Sequence, residues 1–216
     1  MRKIRKTHPP KVFLDWLEEN KDLDCSYDAL VGKPAHVELK MHLIKEQGFL
    51  CAYTGHEVDE NNSHVEHLKP QNECAGNEDI EYRNLVACFP HSGGDLSYGY
   101  GAPIKGGWWD ETLFISPLSS KCERRFAFSW SGIIKENPKN HAAAKKTIEV
   151  LGLSHKNLVH LRKKAIDGFF GYGERTKPLS KKEAIHLLRV IDKFNASGKL
   201  ISYCFMLKYL LKKYVA

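Results

Sequence analysis

What the chain does not contain narrows its identity first. No stretch of its 216 residues approaches the roughly 18 consecutive apolar residues that a membrane span needs. The basic start, Met1 to Lys6, runs into His8, Pro9 and Pro10 with no apolar segment, so we expect no secretory signal and a cytoplasmic protein. No internal repeat, low-complexity tract or cofactor box stands out. Six cysteines, Cys25, Cys51, Cys74, Cys88, Cys122 and Cys204, are too scattered for a disulfide framework in such a chain, so metal binding or plain burial explains them better. Complete disorder is excluded as well, because 42% hydrophobic and 11% aromatic residues can build a core. The length suits one sizeable domain, or a small catalytic module with a helical companion.

Charge is unevenly distributed. The formal net charge is +7, but residues 1–48 carry 9 basic and 8 acidic side chains, and residues 49–110 carry only 3 basic against 10 acidic. Residues 111–216 carry 21 basic and 8 acidic, a net +13. A basic lobe beside an acidic, histidine-bearing segment suits a metal-dependent nuclease, in which positive charge gathers a polyanion and carboxylates hold the ion that acts on it. Lysines that merely solvate helix faces would produce the same C-terminal excess.

Hydrophobic spacing predicts a helix over 10–20, with Val12, Phe13, Trp16 and Leu17 on one face. Another starts at Pro34, carries Val37, Met41 and Ile44, and ends at Gly48. Residues 49–110 are rich in Gly, Asn and His and read as short strands and loops around a site. Strands are expected at 113–115 and from Phe126 onward. After Pro138 the chain reads as helical: 141–151, then a helix capped by Ser154 with Leu158, Leu161 and Ala165 inward. Ser180 and Glu183 form a capping-box pattern ahead of Ile185, Leu188 and Ile191. A last helix is expected from about Lys199, with Lys212 and Lys213 complementing its dipole. Residues 168–178 are the linker candidate.

Chemistry concentrates around Glu66 and His67. Phosphodiester hydrolysis needs a base to activate water and a cation to stabilise the pentacoordinate phosphate. Glu66 offers a hard oxygen suited to Mg²⁺ or Mn²⁺, and His67 titrates near neutrality. Asn84, 17 residues beyond His67, is far enough along to return on a hairpin and face them. His64 lies on the same side of a strand as Glu66. Trp108 and Trp109 fit either base stacking or core packing.

Cys51-x-Tyr53-x-Gly55, then Glu66-His67-x-x-Pro70, then Asn84-Leu85-x-x-Cys88 resembles the HNH, or ββα-metal, nuclease pattern. The flanking stretches, Glu46 to Tyr53, Tyr100 to Gly107 and Phe114 to Leu118, resemble the HNH component of Septu anti-phage systems, the PtuB family, including its retron-associated versions. The resemblance runs from the first helix to about Ile166. It implies an α+β, mostly helical fold: an N-terminal helical segment (1–48), an HNH module with a strand extension (49–135), and a basic C-terminal helical lobe (136–216). By position His67 matches the general base, Glu66 an acidic metal ligand, and Asn84 the middle Asn that orients the loop or lies on the metal. His91 is the candidate second metal ligand, with Asp95 a weaker substitute. Lys69, Arg83 and Lys105 are the candidates for phosphate contact, and Lys105 matches the lysine that closes the family's last motif.

The sequence also departs from the family. HNH folds often hold zinc between two Cys-x-x-Cys pairs. Here those pairs read Cys51 with Thr54 and Cys88 with His91, and the later Cys and His positions hold Gly101 and Pro103. Cys51, Cys88 and His91 form an incomplete zinc set, and a metal-free contact between Cys51 and Cys88 is the alternative. The resemblance implies a Mg²⁺- or Mn²⁺-dependent endonuclease acting on DNA, with RNA such as tRNA also open, in complex with a PtuA-like ATPase and in some versions with a retron reverse transcriptase. The competing reading is a catalytically degenerate HNH fold that binds nucleic acid or serves as an adaptor.

Overall fold

The computed structural model describes residues 1–23, 25–91, 96–171 and 179–216. Helices dominate, and two small antiparallel sheets of two strands each make the fold α+β. Among the described residues no helix is long and apolar enough to cross a membrane.

Three helices open the chain: α1 (Lys11–Asn20), α2 (Tyr27–Leu30) and α3 (Pro34–Glu46). Pro34 at the first turn of α3 costs nothing, since its missing N–H would have had no partner there. The buried residues of α3 are Ala35, Leu39, Leu43 and Ile44, so the expected Ile44 is buried but the expected Val37 is 57% exposed. Positions four apart stack on one face, and Val37 lies off that face. Val12 of α1 is likewise exposed while Phe13 is buried.

Strands β1 (His64–His67) and β2 (Leu85–Cys88) pair antiparallel, with His64 opposite Cys88 and His67 opposite Leu85. All four residues of β2 are buried because α3 and the residue after it cover the strand. The buried Gln47 amide acts like a missing neighbour strand, donating to Leu50 O and Ala87 O at 2.8 Å each and accepting from Ala87 N at 2.8 Å. Gly101, at φ 88°, turns the chain into the single-turn helix α4 (Ala102–Lys105), which places Lys105 at the hairpin.

The expected strand at 113–115 does not form: a turn ends at Leu113, and residues 114–115 pair with no strand among the described residues. Asp110 Oδ1 accepts from the backbone N–H groups of Thr112 and Leu113 at 2.8 and 2.9 Å, so those donors need no partner strand. Phe126 does begin a strand: β3 (Phe126–Phe128) pairs with β4 (Ile134–Glu136). Helix α5 (Ala142–Val150) packs on β4. In α6 (Lys156–Phe170) the cap is His155 rather than Ser154, its ring Nδ1 accepting from Asn157 N at 3.4 Å. Leu158, Arg162, Ile166 and Phe170 face inward, and Gly171 in the left-handed region ends the helix. Of the expected linker, residues 168–171 thus belong to this helix and its cap, and residues 172–178 lie outside the described residues.

Helix α7 (Lys181–Leu188) has the expected capping box of Ser180 and Glu183, but Ile185 is 46% exposed and Ala184 is the buried position. The last helix, α8 (Cys204–Val215), begins later than Lys199 because the preceding segment is bonded elsewhere. Leu200 N donates to Gly48 O and Tyr203 N to Gly55 O, both at 3.0 Å. These bonds seat α8 on the loop ahead of β1. A buried hydrophobic cluster joins Phe13, Leu39, Val86, Phe126, Leu158 and Leu207, so it spans all parts of the chain.

Candidate active site

Alternation along β1 sets the geometry. Side chains two apart share a face of a strand, so His64 and Glu66 lie together while His67 points to the other side. Glu66 Oε1 accepts from Lys105 Nζ at 3.1 Å and from the Tyr53 hydroxyl at 3.2 Å. His64 Nε2 lies 3.4 Å from Glu66 Oε2, and His64 Nδ1 bonds the Pro90 carbonyl. Both ring nitrogens of His64 therefore face acceptors, an arrangement that only the doubly protonated ring satisfies.

The electrostatics follow. Burial pushes the Glu66 carboxyl up, but the His64 hydrogen bond and the Lys105 charge outweigh it and hold Glu66 below the usual carboxylate range. For His64, burial opposes the charged ring, and the bonds to Glu66 and the Pro90 carbonyl raise it above an ordinary imidazole. Lys105, only 3% exposed, also donates to the His67 carbonyl at 3.0 Å. One ammonium thus ties α4 to the last two residues of β1.

His67 is buried on the opposite face. Its Nε2 lies 2.8 Å from the Asp79 carbonyl, and the Tyr27 ring meets it edge-on at 4.5 Å between centroids. A carbonyl only accepts, so Nε2 carries the proton and Nδ1 holds the lone pair of the neutral ring. Burial lowers the His67 pKa, outweighing the Asp79 bond and the Glu66 charge, which favours that neutral form at physiological pH.

Asn84 does not converge on Glu66. Its Oδ1 accepts from Lys69 N at 2.8 Å, and its Nδ2 donates to Lys69 O at 3.0 Å and Glu78 O at 3.1 Å. The carboxamide is spent bracing the loop that follows His67. His91 is exposed, and Asp95 lies outside the described residues. Glu66, Asn84 and His91 are therefore not gathered around one ion. Among the described residues no group of three or more His, Cys, Asp or Glu side chains is placed to hold a metal. Glu66 supplies the hard oxygen that a catalytic divalent cation takes, whereas His64 could add a nitrogen donor only after giving up one of its two ring protons.

The zinc set fits less well. Cys51 and Cys88 are buried free thiols. Burial pushes the Cys51 thiol up, but the bonds from Cys88, from the Thr54 hydroxyl and from the Phe89 amide pull it down further, while Cys88 is raised by burial and by its partner. A hydroxyl stands where a third thiolate would be, and exposed His91 is not part of this cluster, so these residues do not complete a tetrahedral zinc site.

Of the phosphate candidates, Lys105 is buried in the Glu66 pair and Lys69 is ion-paired with Glu78, while Arg83 is exposed with no ion-pair partner among the described residues. Trp108 and Trp109 are partly buried against Phe114, at 6.3 and 5.6 Å between centroids, as core packing requires. Two contributors carried no sequence signal of their own: Tyr27, against His67, and Asp79, which acts through its backbone. Tyr53 belongs to the Cys-x-Tyr-x-Gly motif, yet only the fold brings its hydroxyl to Glu66.

The chain belongs to the HNH endonuclease family. It is 30% identical over 151 residues to a Vibrio cholerae (serotype O1 biovar El Tor) protein named "Retron Vc95 putative HNH endonuclease", a match covering 67% of this chain and 70% of that protein. No family model matches the chain.

Proposed function

We propose that this chain is the nuclease of an anti-phage defence complex, a divalent-metal-dependent HNH endonuclease that hydrolyses phosphodiester bonds with His67 as general base. The observation that carries this reading is the 2.8 Å bond between His67 Nε2 and the Asp79 carbonyl, which leaves Nδ1 as the basic nitrogen. In this reading Nδ1 takes the proton from the attacking water. Tyr27 and Asp79 fix the ring, and Asn84 braces the loop after it, so Asn84 is a positioning residue. Lys105 holds Glu66 and the end of β1 in register. A divalent cation resting on Glu66, with His64 beside it, would stabilise charge on the phosphate and the departing oxygen. Arg83, exposed and in no ion pair among the described residues, is the candidate for a neighbouring phosphate, and Lys69 would have to leave Glu78 to assist. Residues 49–135 form the nuclease module in this proposal, flanked by 1–48 and the basic 136–216.

The relative's name ties that protein to a retron, and the sequence resembles Septu nucleases. Both support a setting with a PtuA-like ATPase and a retron reverse transcriptase complex as partners. A second reading, a catalytically degenerate binding or adaptor subunit, draws on one observation: both Glu66 oxygens already have cationic partners.

The test compares wild type with His67→Ala on duplex DNA, single-stranded DNA and tRNA, with Mg²⁺ or Mn²⁺, with and without the ATPase. Wild type should cleave at least one substrate, and the variant should lose about 100-fold or more in rate. Equal cleavage by both proteins would refute His67 as base. No cleavage by wild type in any arm, with nucleic-acid binding retained, would favour the degenerate reading.

A further inference from the structure

On the β3–β4 hairpin, distant in sequence from His67, one tryptophan is treated differently from the others. Trp130 is held by edge contacts to Phe170 and Tyr214, at 4.8 and 6.2 Å between centroids, yet it remains 38% exposed. Ile133, across the same turn, is 41% exposed. Trp130 forms a wall shared by two clefts. The first, about 360 Å³, is lined by Phe128, Trp130, Ile133, Tyr209, Lys135 and Lys213, and among the described residues no acidic side chain lines it. The second, about 390 Å³, lies between Trp130 and the Lys163–Asp167 pair of α6.

Lys135 and Lys213 are exposed, and neither is in an ion pair among the described residues. Lys213 Nζ lies 4.8 Å from the Tyr209 ring centre, so its charge stands at the cleft edge over an aromatic floor. Rings and aliphatic walls with cations at the rim match an unpaired base with its phosphate outside. A duplex hides its base faces and would use only the lysines. The surrounding segment, with 21 basic against 8 acidic residues over 111–216, extends the attraction along a polyanion.

We propose that the paired clefts around Trp130, rimmed by Lys135 and Lys213, are a binding site for single-stranded nucleic acid separate from the His67 centre. The site goes beyond the nuclease reading and stands without it, because its occupancy can be measured in a protein that lacks His67.

The experiment uses full-length protein carrying His67→Ala and three dye-labelled probes: a 15-mer of deoxythymidine, a 15-mer of uridine and a 15-base-pair DNA duplex. Fluorescence anisotropy is recorded across a salt series. The expected result is tighter binding of at least one single strand than of the duplex, with the two single strands separating DNA from RNA as the source. Adding Lys135→Gln and Lys213→Gln should weaken that binding roughly tenfold and lower the slope of log affinity against log salt by about 1.4, or 0.7 per phosphate contact. Both side chains are exposed, so this double variant leaves the fold intact. Trp130→Leu should weaken binding about fivefold or more. Because that change also removes packing on Phe170, quenching of tryptophan emission by the oligonucleotide in the protein that retains Trp130 serves as the second measure. Unchanged affinity and slope in the double lysine variant would overturn the proposal. So would equal affinity for the duplex, or competition by poly-glutamate as effective as by the oligonucleotide, which would assign the clefts to an acidic protein partner.

Discussion

Replacing Lys105 with Met would remove a buried ammonium while keeping most of the side-chain volume. Its Nζ lies 3.1 Å from Glu66 Oε1 and 3.0 Å from the His67 carbonyl, so both groups lose a charged donor at once. Breaking a buried ion pair by removing one partner costs about 3–5 kcal/mol, because the other charge is left uncompensated. Here Tyr53 and His64 still face Glu66, and the Glu66 side chain keeps 15% exposure, which favours the lower end, about 3 kcal/mol. For a chain of this length that corresponds to a melting temperature lower by about 6–12 °C. In a Glu66→Gln background the same change should cost only about 1 kcal/mol, since a neutral amide does not need the ammonium. The double-mutant cycle, read by urea unfolding followed by circular dichroism, should therefore give a coupling near 2 kcal/mol. Additive effects, within about 0.5 kcal/mol, would mean that the pair does not hold β1 to α4 and would remove the positioning role given to Lys105.

Three further outcomes are expected. Asn84→Ala deletes bonds to Lys69 N, Lys69 O and Glu78 O and should destabilise by about 2–3 kcal/mol, with faster amide exchange confined first to residues 69–78; uniform exchange would argue against a loop brace. Lys6 is buried beside Glu46, and burial pulls its ammonium down to about 8 despite that partner. Between pH 8 and the ordinary lysine value the unfolded chain then binds the extra proton, so stability should rise with pH there, and Lys6→Met should abolish that rise in urea midpoints; parallel wild-type and variant curves would contradict it. Exhaustive chelation should leave the melting temperature within about 2 °C, since Cys51 and Cys88 with Thr54 supply only two thiols and not a tetrahedral ligand set, and a larger drop would reveal a structural metal.

Much of the local architecture was legible in the residue order because local rules decide it. Pro34, the Ser180 and Glu183 box and the run from Lys11 to Asn20 signal helices through contacts three or four residues apart. Which face each helix buries was less legible. Val37 and Ile185 look like core residues, yet they are exposed because neighbouring elements cover a different stripe. The start of α8 is hidden from the sequence for a related reason: residues 200 and 203 spend their N–H groups on Gly48 and Gly55, partners about 150 residues away.

The candidate site divides the same way. Adjacency alone determines that Glu66 and His67 leave opposite faces of a strand and that His64 joins Glu66, because alternation is a property of extended backbone. Only the tertiary structure decided what each of them meets. Lys105 reaches Glu66 across 39 residues, Tyr27 and the Asp79 backbone lock His67, and Asn84 turns to the loop instead of to an ion. These contacts are long-range and some run through the main chain, whose donors and acceptors are the same at every position, so no motif can announce them.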